Sequence, residues 1–116
     1  MKLHITKVPL YEIELIFTRD EKYFTEQISK EESKKITAFC TWSTDDNCVG
    51  IYIPKKGCKN RLLGMLAHES FHAASIICDW AGVEPSDYGS EATAYLLQWI
   101  YEYCLGCIDK ENKRKR

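Results

Sequence analysis

The sequence contains the pentapeptide His68-Glu69-Ser70-Phe71-His72, which has the form H-E-x-x-H. Residues four apart lie one turn apart on the same face of an α-helix, so this spacing brings two imidazoles together when the segment is helical. Two such imidazoles bind a single zinc ion in many proteins, and the intervening Glu then lies beside the water at the open position. The motif therefore predicts a helix and a candidate catalytic metal site at the same place.

The sequence around the motif also favours a helix. Apolar and helix-favouring residues fill positions 61–67 and 73–78 on either side, a pattern typical of one long buried helix. Asn60 is predicted as its N-cap and Gly82 as its C-terminal stop. The alternative is a buried helix with two incidental histidines and an ion-paired Glu. We consider this weaker, because burying three polar groups without a partner is costly.

A catalytic zinc site needs a third protein ligand besides two histidines. A second predicted helix opens at Ser90, and Glu91 is the only acid in its first half, in an otherwise apolar stretch. A carboxylate in such surroundings favours a bound cation, which makes Glu91 the predicted third ligand. The alternative is that the helix dipole alone favours an acid there. Glu84 and Asp87 are rival ligands in the turn-rich loop between the helices.

An H-E-x-x-H helix followed by a helix that opens with S-E-A-x-A resembles the gluzincin branch of the zinc metallopeptidases. The resemblance covers residues 59–105 and is strongest to very short members of the kind encoded by bacteriophages. It implies a zincin-like fold and the hydrolysis of peptide bonds. It also implies that His68, His72 and Glu91 bind Zn²⁺ and that Glu69 is the general base.

Two tyrosines are further candidate catalytic residues. The family often has an acid four residues after the ligand Glu, and this chain has Tyr95 there. The Tyr95 hydroxyl would either accept a hydrogen bond from a histidine ring N–H or contact the substrate. Tyr88, in the loop between the helices, and Tyr95 are both candidate donors to the oxyanion of the reaction.

The N-terminal part of the chain predicts a strand and a short helix. Within segment 2–17, Tyr11, Ile13, Leu15 and Phe17 alternate with polar residues, which is typical of a strand with one buried face. Asp20 then has the character of an N-cap for a short amphipathic helix over residues 21–28.

A β-hairpin is predicted before the motif helix. Segments 35–43 and 48–53 alternate as strands, and the polar residues 44–47 between them favour a turn. Pro54 ends the second strand and cannot donate to a ladder, which suits an edge strand. By the same family resemblance, the backbone of residues 50–53 would pair with an extended peptide substrate.

These elements predict an α+β fold, in which a small antiparallel sheet of about three strands packs on two long helices that carry the metal site. The 116-residue chain is predicted to be one domain over residues 1–109. Residues 110–116 carry five basic groups and one acid and are predicted to be a disordered tail. With a net charge of −1 for the whole chain, nucleic acid is not an expected partner.

The chain shows neither a signal-peptide pattern nor an apolar run of membrane-spanning length, so a cytoplasmic location without membrane contact is expected. Thiols stay reduced in that compartment. The six cysteines are therefore expected as core thiols, and Cys104 and Cys107 as part of a helix rather than as a redox pair. His4 is expected at the surface.

The predicted function is zinc-dependent hydrolysis of a peptide or protein substrate. Glu69 would take a proton from zinc-activated water and pass it to the leaving amine. The alternative is a non-catalytic, zinc-stabilised zincin-like module that binds or regulates a partner. In that case a fourth protein ligand, such as Asp87 or a cysteine, would close the metal site.

Overall fold

The protein has an α+β architecture, seen in a computed structural model that describes residues 3–20, 22–23, 38–83 and 91–114. A four-stranded sheet packs against two long helices. The strands are β1 Leu3–Lys7, β2 Glu14–Thr18, β3 Phe39–Ser43 and β4 Cys48–Tyr52. The helices are α1 Lys59–Trp80 and α2 Glu91–Arg114.

The sheet is mixed, and its strand order is β1-β2-β4-β3. Strands β1 and β2 are antiparallel, as are β3 and β4, but β2 runs parallel to β4. The predicted antiparallel sheet of about three strands is therefore corrected to four strands with one parallel pair. The parallel pair forms because β4, the second strand of the hairpin with β3, lies between β3 and β2 in the sheet.

An unusual turn between β1 and β2 explains the fourth strand. Leu10 and Glu12 have φ angles of 73° and 54°, in the left-handed region that such residues seldom adopt. The Val8 N–H donates to the Ile13 carbonyl at 2.8 Å and closes the turn. The predicted strand over residues 11–17 therefore begins only at Glu14, because the chain reverses before it.

Strand β4 lies inside the sheet, paired with β2 on one side and β3 on the other. The prediction that it forms an edge strand was wrong, since both of its sides are used within the sheet. The hairpin of β3 and β4 is confirmed, with Asn47 at a φ of 53° in its turn. Pro54 lies beyond the end of β4, so its missing N–H does not interrupt the ladder.

The hydrophobic core lies between one face of the sheet and the two helices. It joins side chains that are at most 5% exposed, most of them from β2, β4, α1 and α2. Its largest fully buried side chains are Phe17, Leu15, Ile51, Ile53, Leu66, Ile77 and Ile100. Because α1 contacts β3, β4 and α2, this core holds the motif helix against the sheet.

The ends of α1 agree only in part with those predicted from the sequence. The N-cap is Cys58, which makes no side-chain cap bond, so Asn60 lies within the first turn and the prediction of Asn60 as the cap was wrong. Gly82 follows the helix with a φ of 78° and donates its N–H to the Asp79 carbonyl at 3.1 Å. Gly82 is thus confirmed as the stop, since glycine adopts this conformation without steric cost.

The predicted cap at Asp20 is also present. One Asp20 carboxylate oxygen accepts a hydrogen bond from the backbone N–H of Lys22 at 3.0 Å. The remainder of the predicted helix over residues 21–28 lies outside the described residues, apart from residues 22 and 23.

Helix α2 continues through Arg114, so the predicted boundary between residues 109 and 110 falls inside this helix. Glu111 accepts a hydrogen bond from the His4 ring at 3.0 Å, and both side chains are mostly covered, at 12% and 14% exposed. His4 therefore joins β1 to α2, in contrast to the expected surface position. No helix in the described part of the chain has the length and apolar character needed to cross a bilayer.

Candidate metal centre

The middle of α1 brings His68 and His72 together as predicted. Both residues are exposed, and their Nε2 atoms lie 3.1 Å apart. The ring centroids are 4.7 Å apart, with an angle of 75° between the ring planes. The two side chains therefore direct the same ring nitrogen toward one point beside the helix.

This geometry fits a tetrahedral metal ion. Two nitrogen ligands at the usual zinc distance are about 3.4 Å apart, close to the 3.1 Å between the two Nε2 atoms. At this distance the two rings form a hydrogen bond, in which one ring donates its N–H to the unprotonated nitrogen of the other. To bind one metal ion through both Nε2 atoms, each neutral ring must carry its proton on Nδ1.

Glu69 belongs to the same cluster, since ligand atoms of His68, Glu69 and His72 all lie within 4.8 Å of one another. Its side chain is buried at 7% exposure, whereas the two histidines are exposed. Burial raises the pKa of Glu69 above its ordinary value, and the nearby His68 and His72 partly offset this rise. A carboxylate so placed holds a proton more readily than one in water, which suits a general base that must also return the proton.

Cys40 on β3 lies close enough to Glu69 to interact with its charge. Burial, with a smaller contribution from Glu69, raises the pKa of Cys40 to about 12. The thiol therefore stays protonated and is a poor metal ligand, because zinc binds the thiolate. Cys104 and Cys107 are buried in the core, and burial also raises the pKa of each. Cys78, Cys104 and Cys107 are buried as predicted for core thiols, whereas Cys58 is exposed, so the prediction was wrong for that residue.

The predicted third ligand, Glu91, lies outside the cluster that contains the two histidines. Glu91 is the first residue of α2, is exposed, and does not belong to the cluster formed by His68, Glu69 and His72. Its role as a ligand stays a prediction. Tyr95 lies one turn further along α2 and is 65% exposed. Glu84, Asp87 and Tyr88, the other candidates, lie outside the described residues.

The burial of Glu69 was not predicted, although the sequence carried the signal for it. Leu66, Glu69, Ala73 and Ile77 are all buried along α1, and their spacing follows the stripe of a helix packed on one side. Glu69 therefore lies in the stripe that faces the sheet, while His68 and His72 lie on the solvent side. An acid within an apolar stripe was the available indication.

The ring of Phe71 adds an exposed apolar surface to the site. Its centroid lies 6.1 Å from that of His72, and the side chain is 54% exposed.

Comparisons of the chain with protein families, with curated proteins and with solved structures found no match. The functional argument therefore depends on the geometry of α1 and on the chemistry of its side chains.

Proposed function

We propose that the protein is a zinc-dependent metallopeptidase with a zincin-like site. The observation that carries the proposal is the pair of His68 and His72, with Nε2 atoms 3.1 Å apart, beside the buried carboxylate of Glu69. Two nitrogen ligands on the solvent side and one acid on the protein side are three of the four protein groups that such a site requires, and the fourth is a third metal ligand.

Each residue has a distinct role in the proposed reaction. His68 and His72 hold Zn²⁺, with Glu91 as the proposed third ligand. Zinc, when bound, supplies a Lewis acid that polarises the scissile carbonyl and increases the acidity of water. Glu69 accepts a proton from the attacking water and passes it to the leaving amine. The proposed donor to the oxyanion is Tyr95 or Tyr88.

Strand β3 supports a peptide as the substrate. It is an edge strand of the described sheet, it contacts α1, and its Cys40 lies within electrostatic range of Glu69. An extended peptide that pairs with β3 would pass beside the proposed base. Trp42 of β3, 57% exposed, and Phe71 offer apolar surface to its side chains. Strand β3 thus takes the role that the sequence suggested for residues 50–53.

A non-catalytic, zinc-stabilised binding or regulatory module is the second candidate. It is favoured by one observation, which is that Glu69 lies within 4.8 Å of both histidine ligand atoms and is itself a possible ligand. An ion held by His68, Glu69, His72 and one further group would have no open position, and it would contribute to folding instead of catalysis.

One substitution, Glu69→Gln, separates the two candidates. A peptidase with Glu69 as base keeps one zinc per chain in this variant and no longer cleaves a mixed peptide library. A module with Glu69 as a ligand loses zinc in the variant, and the zinc-loaded wild type cleaves nothing. Zinc is measured by elemental analysis and cleavage by mass spectrometry. Glu102→Gln, at an exposed carboxylate on α2, is the matched control.

A further inference from the structure

A second concave surface lies at the end of the sheet, apart from the histidine pair. Thr18 of β2 is aligned with Tyr52 of β4, and because these strands are parallel, the segments that follow them leave the sheet at the same edge. They border an open cleft of about 490 Å³ whose lining includes Arg19, Lys55 and Lys56. Lys56 precedes α1 by three residues, whereas His68 lies about 14 Å along that helix from its start.

The lining of this cleft is strongly basic. Among the lining residues that the structure describes, Arg19, Lys55 and Lys56 each carry a positive charge, and Asp20 carries a negative one. That carboxylate accepts the backbone N–H of Lys22, so one of its oxygens is already used in a local turn. Charges of one sign in a concave surface raise the local concentration of ions of the opposite sign. The cleft therefore favours an anion.

Arg19 gives the cleft a mostly buried positive charge. The residue is only 9% exposed, and its Nη2 donates to the Pro54 carbonyl at 2.9 Å. Its Nε is buried and has no hydrogen-bond partner, and Arg19 forms no ion pair with any residue that the structure describes. A guanidinium stays charged at all ordinary pH values, and a charge withdrawn from water is costly without a counter-charge.

We propose that this cleft binds a phosphate group, either as inorganic phosphate or as the terminal phosphate of a small molecule. A phosphate oxygen accepts charge-assisted hydrogen bonds from a guanidinium and from ammonium groups, and the two lysines supply the latter. The site is independent of the proposed peptidase reaction, since it shares no residue with the histidine cluster.

The test is a titration of ¹⁵N-labelled protein with inorganic phosphate, and separately with phenyl phosphate, at constant ionic strength maintained with chloride. The Nε–H signal of Arg19 and the amide signals of Lys55 and Lys56 are followed by NMR. We expect saturable shifts with phosphate and none with chloride. Tighter binding of phenyl phosphate assigns the site to a phosphorylated small molecule, and tighter binding of inorganic phosphate assigns it to the free ion.

Two double variants make the test specific. K55Q/K56Q removes two lysines of the cleft and is expected to weaken binding about tenfold, the loss of one charge-assisted hydrogen bond or more. K7Q/K110Q removes two exposed lysines elsewhere and is expected to change the Kd less than about twofold. Because these four lysines are exposed, the test does not depend on replacing the buried Arg19.

Three results would overturn the proposal. The first is the absence of a saturable shift with either phosphate compound. The second is equal weakening in both double variants, which would reflect overall charge instead of a site. The third is a single-stranded oligonucleotide without terminal phosphates that shifts the same signals at lower concentrations than either compound, which would assign the cleft to nucleic acid.

Discussion

Two histidine contacts of similar length have different surroundings in this molecule. The His4 ring lies 3.0 Å from a carboxylate oxygen of Glu111, and both side chains are largely covered. The rings of His68 and His72 lie 3.1 Å from each other and are exposed. The first contact pairs a possible cation with an acid, whereas the second places two potential metal ligands side by side at the surface.

The difference shows why the presence of histidine alone does not indicate a metal site. His4 already has a charged partner, and its ring also lies against Phe17, with centroids 6.1 Å apart, so its position is explained by packing. His68 and His72 satisfy only one nitrogen each through their mutual contact. Their Nε2 atoms are exposed and lie side by side, and a carboxylate oxygen of Glu69 lies within 4.8 Å of the ligand atoms of both rings.

The largest expected effect distinguishes the two acids that lie near histidines. Glu69→Gln should lower kcat/KM for peptide cleavage by about 10²- to 10⁴-fold, because a general base contributes that much. Glu111→Gln should leave kcat/KM unchanged, since this residue lies at the opposite contact. Steady-state kinetics on a peptide identified from a library measure both. Equal losses in the two variants would remove the distinction between a catalytic and a structural carboxylate.

Replacing one histidine of each contact by alanine should have different effects on the affinity of the protein for zinc. His72→Ala is expected to weaken zinc binding more than about 100-fold, because loss of a ligand exceeds the effect of losing a group that orients one. His4→Ala should bind zinc with wild-type affinity. Competition with a chromophoric chelator gives both constants. Retention of zinc by His72→Ala would show that the ion is held elsewhere.

Zinc should stabilise the protein through the exposed pair only. At a free concentration 100 times the Kd, zinc should raise the free energy of unfolding by about 2.7 kcal/mol, and a chelator should reverse the change. The increase should persist in His4→Ala and disappear in His68→Ala. Denaturant unfolding monitored by circular dichroism measures it. An equal increase in all three proteins would indicate that zinc acts outside the α1 cluster.

The smallest expected effect is at the His4 contact itself. A double-mutant cycle of His4→Ala and Glu111→Ala should give a coupling energy of about 1 kcal/mol, typical of a partly buried hydrogen bond. Chemical denaturation of the four proteins measures the coupling. A coupling near zero would show that the C-terminal turns of α2 are held by other contacts.

Predictions of local structure from the sequence were mostly confirmed. The helical spacing of His68 and His72, the stop at Gly82 and the hairpin of β3 and β4 each depend on residues close together in the chain. The strand break between β1 and β2 was missed, because Leu10 and Glu12 are not typical turn residues. The helix cap was misplaced because Cys58 caps α1 without a side-chain bond.

Residues distant in sequence meet only in the folded chain. The pairing of β2 with β4 could not be predicted from alternation, because period-two patterns define the faces of a strand and leave its neighbours open. That pairing places β4 inside the sheet and leaves β3 at an edge beside α1. It also brings Arg19 next to Pro54 and so forms the basic cleft, of which the sequence showed no sign.

The sequence by itself therefore determined the motif helix and the proximity of its two histidines, because a helix repeats every 3.6 residues whatever surrounds it. The tertiary structure decided which side of that helix is buried, and hence that Glu69 faces the sheet while the imidazoles face solvent. It also decided that His4 meets Glu111, a partner 107 residues away. Such contacts depend on how elements pack, and packing sums many weak interactions that no short segment encodes.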